Sequence, residues 1–337
     1  MATMVRTEPQ ITTMIRDLLK VEPEKHDLAW IKKSLQAAIA LELSTIPPYL
    51  CALWSIKKDG TDAGQRIQGI ALDEMFHLGL ACNMLSAVGG KPDIIAAVPK
   101  YPTKLPGNVR NTFDVYLSGL TKDYLRKVFM EIEMPLHPVA LAESWETIGV
   151  FYDAILTAIK KEKPPIGTGP QMQGTIGRNK LTKFTKLSEI EDAIKVIKEQ
   201  GEGTGQMPDD PGQDRAHYYK FGEIYYGRKL KQVNGSWKWE GDPVPFPEVY
   251  PMAALKDKSG VWPDPRPEAK PLIKNFNAKY SEMLQLLHKA WANGDTKAYG
   301  TGIGMMFELG PIAVSLMKIS LKGDDKHAYG PEFRYVP

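Results

Sequence analysis

The chain has 337 residues, 43% of them apolar and 25% charged, with a formal net charge of +3. This length and apolar content allow one large or two modest domains with a sizeable core. The near-balanced charge, with no long Lys/Arg block, zinc-finger spacing or aromatic-interleaved basic stretch, argues against nucleic acid as a partner.

Met1 to Pro9 carries charges but no apolar h-region. No uninterrupted apolar run approaches the roughly 18 to 20 residues of a membrane span, so no membrane partner and a cytoplasmic location are expected. Residues 8–20 hold a short amphipathic pattern (Ile11, Met14, Ile15, Leu18, Leu19), which predicts a packing helix within an N-terminal arm over 1–24. A long helix then starts at Asp27, a suitable N-cap, and runs to about Ile56. Glu42 is the one acid in its apolar middle and has no ion-pair partner at helical spacing, so its burial must be met from another helix. Pro47-Pro48 remove two backbone donors and free the carbonyls of Leu43 and Ser44, which predicts a kink there. Tyr49, on the face of Glu42, either lines a cavity or is an ordinary core tyrosine.

After a turn at Lys57 to Gly60, a second helix covers about 62–88 and stops at Gly89-Gly90-Lys91-Pro92. It is apolar nearly all round, which marks a buried element. Inside it lies Glu74-Met75-Phe76-His77. Three residues advance a helix by roughly 300°, so the carboxylate and imidazole can grip one ion. One such pair is weak evidence by itself.

Residues 91–130 read as an insertion ending in a short helix at about 121–134. Glu133 at its end and His137 just beyond are candidate ligands, with loop anchoring the more ordinary role. A third helix is expected at about 140–161, with acids Glu143, Glu146 and Asp153. The Gly- and Lys-rich stretch 163–206 is broken by a short strand or helix at Ile190 to Ile197. Asp214-Arg215-Ala216-His217 then supplies a second acid-x-x-His, expected on a helix of about 209–231. Residues 233–266 read as a β-hairpin or lid, and helices of about 268–292 and 297–321 close a domain spanning 25–322. A tail, 323–337, follows.

The pattern is therefore mostly α, and a helical bundle with a dimetal core asks for two acid-x-x-His pairs plus one further Glu from each of two other helices. Glu42, Glu74, His77, Asp214 and His217 are the candidate ligands. Cys51 and Cys82 lie on opposite axial sides of this site if Glu42 and Glu74 are level, so they are expected as reduced core thiols.

Several stretches carry a family resemblance: Leu41-Glu42-Leu43-Ser44-Thr45-Ile46-Pro47-Pro48-Tyr49-Leu50, Glu74-Met75-Phe76-His77-Leu78 with Gly89-Gly90, Thr147-Ile148-Gly149-Val150-Phe151-Tyr152, His217-Tyr218-Tyr219-Lys220-Phe221, and Phe246-Pro247-Glu248-Val249-Tyr250-Pro251-Met252. Over about residues 25–320 the chain resembles the ferritin-like domain of the iminophenyl-pyruvate dimer synthase type, known from violacein, rebeccamycin and staurosporine biosynthesis. The resemblance implies a ferritin-like helical bundle with long loop insertions (about 91–130, 163–206 and 233–266) and ligands at Glu42, Glu74, His77, Asp214 and His217. Two departures stand out. The family pattern carries Glu where this chain has Val150, and Asp214 replaces the usual Glu. Glu146, one turn before Val150, is the substitute candidate.

The resulting expectation is an oxidoreductase of secondary metabolism with mononuclear or dinuclear iron, or manganese. It would use dioxygen or a peroxide to oxidise or couple a small amino-acid-derived substrate, aromatic ones included, with Tyr49, Tyr152 and Tyr218 lining the pocket. The competing expectation is a metal-free scaffold that binds a metabolite or partner protein, favoured by Val150. Iron storage fits poorly with the long insertions. A homodimer is the default oligomer.

Overall fold

The computed structural model describes residues 15, 17–104, 113–135, 148–202, 207–209 and 214–337. Among the described residues, eight helices carry the architecture: α1 (Leu28–Ser55), α2 (Asp62–Ala87), α3 (residues 122–132), α4 (Ile148–Glu162), α5 (Leu187–Glu202), α6 (His217–Tyr226), α7 (Ala269–Asn293) and α8 (Thr296–Leu316). Three two-stranded antiparallel hairpins decorate them: β1 (Gly174–Ile176) with β2 (Asn179–Leu181), β3 (Lys231–Val233) with β4 (Ser236–Lys238), and β5 (Ser320–Leu321) with β6 (Asp324–Ala328). The mostly helical class expected from sequence is what the chain adopts.

Helices α1 and α2 form the central antiparallel pair. Asp27 caps α1 by accepting from Trp30 N at 2.8 Å, and Thr61 caps α2 by accepting from Gly64 N at 3.1 Å. The α2 terminus is closed by Gly89 at φ 73°, with Gly90 N donating to Leu85 O at 2.8 Å; the left-handed turn is why Gly stands there.

Helix α1 is long and apolar enough to meet the length and composition of a membrane span, yet 83% of that window is buried inside the fold. Ile31, Leu35, Ala38 and Ile39 are fully enclosed, and each large apolar side chain so placed contributes about 1.5–3 kcal/mol. Pro47 and Pro48 lie within α1 without ending it. The carbonyl of Ser44, which Pro48 cannot satisfy, instead accepts from the Tyr101 hydroxyl at 2.6 Å.

Around this pair, α4 packs on α1, α6 and α5 pack on α2, and α3 packs on α6. A widened, π-type turn over Leu125–Phe129 interrupts α3 just before Glu133. Phe129, Tyr49, Phe221 and Tyr124 interlock beside it, with successive ring centroids 4.6–5.1 Å apart.

The α7–α8 hairpin packs against α1 and α2 from the other side. Asn83 of α2 is a fastening point: its side chain donates to Met172 O and Thr182 O and accepts from Met172 N and Trp291 Nε1, all at 2.8–2.9 Å. The C-terminal segment, read from the sequence as a tail, contributes β6 and then buries Tyr329 and Phe333 against Trp262, Phe276 and Tyr280. Cys51 and Cys82 are both free and buried, and burial pushes both thiols up.

Candidate metal centre

Five buried side chains converge between α1, α2, α6 and the end of α3. One group joins Glu42, Glu74 and His77; the other joins Glu74, Glu133 and His217; within each, ligand atoms lie within 4.8 Å of one another. Glu74 is common to both. Its Oε1 is 3.5 Å from His77 Nδ1 and 3.0 Å from His217 Nδ1, while its Oε2 accepts from the Thr45 hydroxyl at 2.6 Å. His77 Nδ1 also lies 3.7 Å from Glu42 Oε2, and His217 Nδ1 lies 3.5 Å from Glu133 Oε2.

Each outer carboxylate is held by a tyrosine. Tyr152 donates to Glu42 Oε1 at 2.5 Å, and Tyr49 donates to Glu133 Oε1 at 2.5 Å. The far nitrogens of the imidazoles are engaged too: His77 Nε2 meets Gln200 Oε1 at 2.8 Å, and His217 Nε2 lies 3.4 Å from Asp73 Oδ2. Such outer partners orient metal-binding imidazoles.

Burial makes this a tense set of charges. Glu42 is pushed up to about 8, first by desolvation and then by the charge of Glu74, against the opposing pull of His77 and Tyr152. Burial would raise Glu74 too, but His217 and His77 override it and hold it at about 2. Glu133 is raised by desolvation and by Glu74. Desolvation would lower both imidazoles; the facing carboxylates outweigh it and raise them, His217 strongly. In the protein alone, protons shared among these groups hold the carboxylates together.

The donors fit a pair of hard-to-borderline divalent ions. They are three carboxylates and two imidazoles with no thiolate, the set that suits iron or manganese. One atom points the same way: His217 Nδ1 is buried and forms no hydrogen bond, although it faces Glu74 and Glu133. An orphaned ring nitrogen in a carboxylate cage is what a metal ion would satisfy.

A family model described as ferritin-like matches residues 35–226, more than half of the chain and the whole of this donor set. The chain belongs to the ferritin-like family. A crystal structure of a ferritin-like protein from Caulobacter vibrioides superposes with a TM-score of 0.63, covering 91% of this chain and 97% of that one at 23% identity, which shows a shared fold. No curated protein matches the sequence.

Within this ferritin-like bundle, Glu42, Glu74, His77 and His217 lie together, the first three on the two long helices the sequence outlines. Asp214 does not join them. Helix α6 begins at His217 rather than near 209, so position 214 lies in extended chain and the helical spacing assumed for Asp214 and His217 does not exist. The Asp214 carboxylate instead pairs with Lys220 Nζ at 2.7 Å and Arg178 at 2.9 Å.

Glu133, a candidate ligand in the sequence with loop anchoring the more ordinary role, is the carboxylate that groups with Glu74 and His217 instead. A Glu set among Met130, Ile132 and Met134 and followed by Pro135 was its available signal. Val150 is 37% exposed on α4, whereas Tyr152 of the same helix points inward to Glu42, so the apolar residue at 150 takes nothing from the donor set.

Tyr49 and Tyr152 bond to the ligand carboxylates rather than lining an open pocket. Tyr218 faces away, against Tyr219 and the cluster formed with Leu230 and Trp239. Glu143, Glu146 and His137 lie outside the described residues. A cavity of about 540 Å³ opens elsewhere, along α7 and the C-terminal segment beside Asn277, Ser281 and Arg334.

Proposed function

We propose that this ferritin-like chain is a metal-dependent oxidoreductase holding two iron ions, or manganese, between Glu42, Glu74 and His77 on one side and Glu74, Glu133 and His217 on the other. The observation that carries the reading is the unpartnered His217 Nδ1 inside a fully buried cage of carboxylates. Iron bound there would supply one-electron chemistry with dioxygen or a peroxide.

The chain's own residues do the rest. Tyr152 and Tyr49 anchor the outer carboxylates, Gln200 and Asp73 orient the imidazoles, and Phe129 and Phe221 pack on the Tyr49 ring that holds Glu133. The resemblance to iminophenyl-pyruvate dimer synthase domains supports a small amino-acid-derived metabolite, aromatic ones included, as the substrate to be oxidised or coupled. The metal-free scaffold reading loses its main support, because Val150 stands away from the donors.

The test is to reconstitute the chain anaerobically with ferrous iron and follow dioxygen consumption. The wild type is expected to consume dioxygen at a rate abolished in His217→Ala. Equal consumption by both proteins would sink the reading.

A further inference from the structure

The two imidazoles are joined on their outer edges by one continuous chain of polar groups. His77 Nε2 meets Gln200 Oε1 at 2.8 Å, and Gln200 Nε2 donates to Asn179 Oδ1 at 3.0 Å. Asn179 Nδ2 donates to Asp73 Oδ1 at 2.7 Å, and Asp73 Oδ2 lies 3.4 Å from His217 Nε2. Gln200 belongs to α5 and Asn179 to β2, so the belt is closed by elements lying between α4 and α6 in the chain.

Asp73 gives this belt its direction. Its Oδ2 also faces Arg178 at 3.5 Å and Lys220 at 3.7 Å, so the group acts as an acceptor. Asn179 must therefore turn its NH2 toward Asp73, because its oxygen there would meet a carboxylate. That leaves Asn179 Oδ1 facing Gln200, which must donate from Nε2. Gln200 Oε1 is then what His77 meets, and an oxygen accepts only from an N–H. His217 meets Asp73 directly. In the neutral form that would bind a metal, both imidazoles thus carry their proton on Nε2 and present the Nδ1 lone pair to the carboxylate cage.

We propose that Asn179 and Gln200 are positioning residues that carry the polarity of Asp73 to His77, so that one carboxylate selects the metal-facing nitrogen of both histidines. The inference rests on the metal-centre reading above. It predicts that a hairpin residue touching no ligand governs metal binding at the His77 half of the site.

The experiment is cobalt(II) titration of the full chain, read by visible absorption, with proton NMR of the loaded protein. An Nδ1-ligated histidine gives a solvent-exchangeable, hyperfine-shifted Nε2–H resonance, and the wild type is expected to show two. Asn179→Ala frees the Gln200 amide to turn, so cobalt affinity should fall about 10- to 100-fold and the His77 resonance should vanish while that of His217 stays. Gln200→Glu needs no partner to set its orientation, since both its oxygens accept. Combined with Asn179→Ala, which removes the amide oxygen it would otherwise oppose, it should restore both resonances and near wild-type affinity.

Unchanged binding and two resonances in Asn179→Ala, or failure of Gln200→Glu to rescue that variant, would overturn the relay. Absence of cobalt uptake by the wild type would instead remove the metal centre itself, and the relay with it.

Discussion

Nδ1 of His217 sits 3.0 Å from Oε1 of Glu74, and the same oxygen faces His77 Nδ1 at 3.5 Å, so one carboxylate from α2 stands between two imidazoles. That carboxylate stays charged, at about 2, while Glu42 is driven up to about 8 and both histidines are raised. The cage therefore holds more protons folded than unfolded around neutral pH.

The sign of the pH dependence follows. Glu42, raised from 4.5 to about 8, stabilises the fold fully below about 4.5 and loses that contribution as pH climbs through 8. The histidines act in the same direction from 6.5 upward, whereas lowered Glu74 withdraws stability only as pH falls below 4.5 toward 2. Metal binding displaces the shared protons, so its contribution grows with pH. Calorimetry of chelator-treated protein from about pH 5 to about pH 8 should show a falling Tm, and the increment from added metal should rise over the same window. A metal-free Tm that climbs steadily across it contradicts the assignment.

Tyr152→Phe removes the hydroxyl that satisfies Glu42 Oε1, and Tyr49→Phe does the same to Glu133. Each leaves a buried carboxylate short of a donor, at a cost of about 1–3 kcal/mol to the metal-free fold. Chemical denaturation should report that loss for both, with the size of the core unchanged and the m-value preserved.

Asp214→Asn and Val150→Glu separate the structure from the sequence pattern. Asp214 pairs with Arg178 and Lys220, and Val150 is on the outward side of α4. Both variants should retain wild-type metal content, measured by elemental analysis. A drop of one ion per chain in Asp214→Asn would return that residue to the ligand set.

Asn83→Ala should be among the costlier substitutions outside the carboxylate cage. It strands Trp291 Nε1, Met172 N and the carbonyls of Met172 and Thr182, so about 2–4 kcal/mol of stability is expected to go. Thermal unfolding followed by circular dichroism reads it directly.

Helices α1 and α2 were legible because end signals and apolar runs coincide: Asp27 opens the first, Gly89 closes the second, and Glu42, Glu74 and His77 are conspicuous as charges in an apolar frame. Asp214 misled because a spacing of three has meaning only inside a helix, and α6 starts after it. Glu133 was hard to read for the opposite reason. It sits beyond a short, π-widened helix, where no period singles out a face. Asp73, Asn179 and Gln200 had no local signal, since their pairing depends on a hairpin and a helix folded back from more than a hundred residues along the chain. Helix α5 carries its apolar stripe (Ile190, Ala193, Ile194, Ile197) amid many charges, a pattern too short there to separate strand from helix by eye.

The most direct measurement is metal content per chain after reconstitution with iron, in the wild type and in Glu42→Ala, Glu133→Ala and Glu74→Ala. A shared Glu74 predicts two ions in the wild type, one in each outer variant and none in Glu74→Ala. The same trace metal in all four proteins would contradict the dimetal cage.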